Sequence, residues 1–115
     1  MKVIIAGGRN FIPEMTDYLL LLALHRRFVF EEVVSGACSG ADAAGETFAY
    51  KEGIKVELFP ADWIQYGKAA GPIRNKQMAE YADAVILFPG GPGTANMRNL
   101  AKEYGLKILY DAGDV

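Results

Sequence analysis

The sequence predicts an α/β protein, a small Rossmann-like three-layer α/β/α fold on a five-stranded parallel sheet, and three observations carry that prediction. Short β-branched and aliphatic runs alternate with segments of helical composition in the order β-α-β-α-β-α-β-α-β. The runs are apolar almost throughout rather than at every second residue, the pattern of strands covered on both faces. Right-handed crossovers then put the helices on those two faces, and a strand order of 3-2-1-4-5 is expected.

The strands are expected at Lys2 to Ala6 (KVIIA), Glu32 to Ser35 (EVVS), Ile54 to Phe59 (IKVELF), Ala84 to Phe88 (AVILF) and Leu106 to Tyr110 (LKILY), each bounded by Gly, Pro or Asp. The helices between them are expected at Pro13 to Phe28, Ala41 to Glu52, Pro72 to Tyr81 and Ala95 to Tyr104. The segment Pro60 to Gly71 (PADWIQYGKAAG) reads as a long irregular loop, and loops of that length in a compact domain tend to be functional. The first helix carries LLLLAL, wider than the roughly 100° apolar stripe that one core contact needs. Deep burial and a homodimer contact both explain it, and a homodimer is expected.

The chain of 115 residues, 51% of them hydrophobic, is sized for a single domain over residues 1–115 with a core of its own. Its one cysteine, Cys38, cannot close an internal disulfide, and no apolar run approaches the roughly 18 residues of a membrane span. With no leader-like segment at the start, a cytoplasmic protein without a membrane partner is expected. The net charge of −2, without a block of like charges, argues against non-specific nucleic-acid binding. Lys68, Arg74 and Lys76 cluster locally, which suits one phosphate better than a polymer.

In an open parallel sheet, ligands bind beyond the carboxyl ends of the strands. The segments that follow the first four strands are Gly7-Gly8-Arg9-Asn10, Ser35-Gly36-Ala37-Cys38-Ser39-Gly40-Ala41-Asp42, Pro60-Ala61-Asp62-Trp63 and Pro89-Gly90-Gly91-Pro92-Gly93-Thr94. Each glycine turn alone is compatible with plain packing. Together, and feeding helix N-termini, they predict a phosphate cradle. The fourth segment lacks the lysine of a P-loop, and GGRN lacks the spacing of a dinucleotide fingerprint. No cofactor and no metal site are expected.

Four stretches, GGRNF, SGACSGAD, PADWIQYGKAAGPIRNKQM and FPGGPGTANM, resemble the SLOG superfamily of Rossmann-like domains, with its LOG phosphoribohydrolases and DNA-processing proteins. The chain is most similar to the small YpsA-related branch found in bacteria and their phages. Against the LOG pattern, the resemblance puts Arg74 at the arginine beside the ribose-phosphate linkage, with Asn75 next to it. It puts Gly90, Gly91, Gly93 and Thr94 at the phosphate-binding positions. At the catalytic glutamate stands Met97, and a thioether can neither stabilise an oxocarbenium-like centre nor activate water.

The resemblance therefore implies a nucleotide-derived ligand held for sensing, carrying or sequestration, with phosphate on the second and fourth loops. The second reading is cleavage or transfer at the N-glycosidic bond of a nucleotide, with Arg74, Asp42 or Glu46 as the catalytic candidates. Asp42 and Glu46 stand four residues apart and share a helix face, although a capping aspartate and a solvated glutamate fit the same pattern. The ligand-binding candidates are Gly7, Gly8, Arg9, Ser35, Gly36, Gly40, Ala41, Asp42, Asp62, Trp63, Lys68, Arg74, Asn75, Pro89, Gly90, Gly91, Gly93 and Thr94. Trp63 or Tyr66 could stack on a base, Trp63 could equally cover the core edge, and Asp62 could cap the next turn. His25 and Cys38 receive no catalytic role.

Overall fold

In a computed structural model describing residues 1–113, five strands form one parallel sheet: β1 (Lys2–Ala6), β2 (Glu32–Ser35), β3 (Lys55–Leu58), β4 (Ala84–Leu87) and β5 (Lys107–Asp111). Their order is β3-β2-β1-β4-β5, as the alternation of apolar runs and helices predicts. The register is continuous from β3 to β4, for example Val3 opposite Val33 and Ile4 opposite Val85. Between β4 and β5 it slips by one residue, so that Val85 faces Ile108 but Ile86 faces Tyr110.

The continuous apolar runs are explained by two cores, one on each face of the sheet. Val3, Ile5, Val33 and Ile86 pack under α1 (Met15–Phe28) and α2 (Ala41–Glu52) with Leu21, Phe30 and Phe48. Ile4, Val34, Val85 and Leu87 point the other way and meet Met78, Met97 and Ala101. Those three come from α4 (Ala70–Tyr81) and α5 (Pro92–Glu103). Because successive side chains of a strand alternate between faces, only an uninterrupted apolar run can feed both cores.

The expected helices are all present, with four local differences. α4 starts at Ala70 rather than Pro72, taking the last two residues of the expected loop into its first turn. α1 starts at Met15, where the backbone N–H of Glu14 donates to the Asp17 carboxylate at 2.8 Å. α5 starts at Pro92 rather than Ala95, because the fixed φ of proline suits the first helical position, where its missing N–H costs nothing. The Pro60 to Gly71 stretch is not wholly irregular. It holds the one-turn helix α3 (Trp63–Tyr66), started by Asp62 Oδ1 accepting from Gln65 N–H at 3.0 Å, and a 3₁₀ turn over Gly67–Ala69. Among the described residues, no helix is long and apolar enough to cross a membrane.

Candidate functional site

The carboxyl ends of β1, β2 and β4 are tied together by Gly8. Its N–H donates to Pro89 O at 2.8 Å, and its carbonyl accepts from Ala41 N–H at 3.1 Å. The first residue of α2 and the loop leading into α5 therefore lie on either side of a single residue. Gly90 has no room for a side chain there, since a Cβ would meet Gly8 N at 2.7 Å and crowd the Thr94 hydroxyl. Gly40, at φ +75°, packs against the same Gly8 carbonyl.

Around this junction lies a cavity of about 440 Å³, large enough for a mononucleotide. Gly7, Gly8 and Arg9 line it from the first loop, Cys38 and Asp42 from the second, Trp63 from α3, Arg74 and Asn75 from α4, and Gly91, Gly93, Thr94 and Met97 from the fourth loop and α5. A smaller cavity of about 250 Å³ lies beside it, lined by Asp62, Gln65, Tyr66 and Gln77, with Arg74 shared between the two.

Arg74 is 8% exposed and mostly committed to the protein. Nη1 donates to the carbonyl of Gly36 and, at 3.5 Å, to that of Phe59, while Nε donates to Asn75 Oδ1 at 2.9 Å. Nη2 has no protein partner among the described residues. The arginine thus braces the ends of β2 and β3, and Asn75 reaches the fourth loop instead: its Nδ2 donates to Asn96 Oδ1 at 2.9 Å and to Gly93 O at 3.4 Å. Gly36 must lack a side chain for this packing, because a Cβ there would lie 2.5 Å from Arg74 Nη1 and 2.8 Å from Asp42 Oδ2.

Asp42, the second residue of α2, is also 8% exposed, and its Oδ2 accepts from Cys38 N–H at 3.2 Å. Burial raises its pKa from 3.8 to about 6; the Cys38 amide, Arg74 and Arg9 pull it down, and Glu46 pushes it up. In the second loop Cys38 N–H is taken by Asp42, Ala37 N–H by Ser35 Oγ at 3.1 Å and Ala41 N–H by Gly8, while the N–H groups of Ser39, Gly40 and Asp42 have no partner among the described residues. The fourth loop also keeps open amides. The N–H groups of Gly91, Gly93 and Thr94 have no partner among the described residues, and at Gly91 and Gly93 a Cβ would meet nothing within 4 Å. A helix N-terminus with open amides facing a cavity favours an anion.

The structure brings Gly7, Gly8, Arg9, Asp42, Trp63, Arg74, Asn75, Gly91, Gly93 and Thr94 to the main cavity. Ser35, Gly36, Gly40, Ala41, Glu46, Lys68, Pro89 and Gly90 do not line it, and Asp62 lines only the smaller one. Ser35 and Glu46 bond to each other, Oγ to Oε2 at 2.7 Å. Trp63 stands at the main cavity with the Arg9 guanidinium 5.1 Å from its ring centroid, whereas Tyr66 faces the smaller cavity. Met97, 1% exposed, belongs to the core beneath α5. Asn96 and Cys38 also line the cavity, although neither was expected to hold a ligand. The pairing of Asn75 with Asn96 has no local signal, as the two stand on different helices.

The profile of the YspA, cpYpsA-related SLOG family matches residues 1–66, more than half of the chain. The chain belongs to this family. The Gene 61 protein of Mycobacterium phage D29 is 34% identical over 117 residues, covering 94% of each chain. Among solved structures, DNA processing protein A (DprA) from Streptococcus pneumoniae superposes on this SLOG chain with a TM-score of 0.77. It is 19% identical, and the match covers 99% of this chain and 51% of DprA. The chain spans about half the length of that protein, and the likeness establishes a shared fold.

Proposed function

We propose that this protein binds a phosphorylated, nucleotide-like small molecule at the cavity between α2, α4 and α5, for sensing, carrying or sequestration. The observation that carries the reading is the open start of α5. Gly91, Gly93 and Thr94 offer unpartnered N–H groups to a cavity that Arg74 also lines. The phosphate rests on the fourth loop, the ribose against Asn75 and Arg74, and the base on the exposed face of Trp63. Membership of the SLOG family supports a nucleotide-related ligand. We place this binding in the cytoplasm, whose reducing conditions suit a lone cysteine.

A second reading, hydrolysis or transfer at the N-glycosidic bond, is favoured by one feature. Asp42 is a carboxyl group in the same cavity whose pKa burial raises to about 6, a shift toward the range useful to a general acid or base. Single-stranded DNA binding has the least support, because the net charge is −2. Pairing of two copies through α1 is also part of the proposal. The leucines of that helix turn largely into the core, yet Met15 at 72% and Leu19 at 55% exposure leave an apolar strip, extended by Ile12.

Calorimetric titration with nucleoside monophosphates, followed by chromatography for free base, separates the two readings. Binding without base release is expected. Base release that is abolished by Asp42→Asn would replace the binding reading with the hydrolytic one.

A further inference from the structure

The starts of α2 and α5 are the two natural anion sites of this cavity, and the protein treats them differently. Both are held to Gly8, one through its carbonyl and one through its amide, so a ligand phosphate at α5 has the first turn of α2 as its neighbour. Both starts keep unpartnered amides, but α5 brings no negatively charged side chain to the cavity. At α2 a carboxylate stands in the way. Asp42 is more than nine-tenths buried, its Oδ2 sits on the Cys38 amide, and its Oδ1 has no protein partner among the described residues.

Resting on the nucleotide reading above, we propose that Asp42 is a charge gate on ligand choice: its carboxylate closes the α2 end of the cavity to anions, so that the site takes a nucleotide with one phosphate group and rejects its diphosphate. The groups that face Asp42 set how firmly the gate is held. Arg74 from α4 and Arg9 from the first loop favour the charged form, Glu46 from α2 opposes it, and the Cys38 N–H donates to it. A second phosphate brought beside Asp42 would meet the like charge of a buried carboxylate, where such repulsion is stronger than between solvated groups. Protonation removes the repulsion. The preference for a monophosphate therefore weakens as pH falls through about 6, where Asp42 titrates.

The test uses the full chain and four probe pairs, AMP with ADP, GMP with GDP, CMP with CDP and UMP with UDP. Affinities are measured by calorimetry at about pH 7.5 and about pH 5.5 for wild type and Asp42→Asn. The terminal phosphates of both members of a pair titrate alike, so the ratio of their affinities reports the gate. In the tightest-binding pair, wild type should prefer the monophosphate by about tenfold at the higher pH, about 1.4 kcal/mol, and by less than about threefold at the lower. Asp42→Asn should show the small ratio at both. A wild type that binds the diphosphate as well as the monophosphate at the higher pH overturns the gate and leaves the binding reading standing. So does a preference in Asp42→Asn equal to that of wild type. If the variant does not fold, the wild-type pH comparison decides alone. Failure of folded wild type to bind any of the probes overturns the binding reading and the gate with it.

Discussion

Replacing Asp42 by asparagine should make the protein more stable at neutral pH and leave its stability unchanged in acid. The carboxyl group titrates at 3.8 in an unfolded chain and at about 6 in the folded one, because burial disfavours its charged form. At about 1.4 kcal/mol per tenfold change in ionisation, that difference amounts to about 3 kcal/mol. Below 3.8 the group is protonated in both states and costs nothing. Between 3.8 and about 6 the unfolded chain ionises first, so wild type loses stability as pH rises; above about 6 the loss is complete. Asparagine is the same size, can still accept from the Cys38 amide, and never ionises. Urea unfolding of both proteins at about pH 4, 5, 6 and 7.5 measures the difference directly. The gain should grow from near zero to an upper value of about 3 kcal/mol across that range. An equal or lower stability of the variant at about pH 7.5, or a difference that does not vary with pH, would refute the claim that burial dominates at this carboxylate.

Three further outcomes follow from single residues. Val29, at φ 50° and 62% exposed, holds a left-handed conformation that a β-branched side chain disfavours, so Val29→Gly should raise stability by about 1 kcal/mol in thermal unfolding. Gly90→Ala should cost about 1–3 kcal/mol and weaken nucleotide binding, since its Cβ would push on Gly8 N and the first turn of α5. Met97→Glu places a carboxylate in the core beneath α5 and should destabilise by about 3–5 kcal/mol at neutral pH, read by urea unfolding. That cost should diminish in acid, as the new carboxyl group becomes neutral.

Strands and their order were legible because burial on both faces writes itself as an unbroken apolar run, as in KVIIA and AVIL. Helix starts were less so. The run PGGPGT reads as one loop, yet the helix begins inside it at Pro92, which moves Gly93 and Thr94 from loop to first turn. α3 escaped notice because four residues cannot display a period of 3.6. The site was legible as a set of loops at one edge, but not in which side chains turn to the cavity and which brace the strand ends. That depends on the Asp42 side chain folding back over Cys38, and on Arg74 turning to Gly36 while its neighbour Asn75 turns to Asn96. Those choices are made by tertiary packing, and single-residue chemistry does not encode them.

Gly8 gives the second and fourth loops a common fate in local opening. Its amide hydrogen is held by Pro89 and its carbonyl holds the amide of Ala41, so neither loop can detach without releasing a bond at this residue. The amides of Gly8 and Ala41 should therefore exchange with solvent as one cooperative unit, and a ligand bound at α5 should slow exchange at Ala41 without touching it.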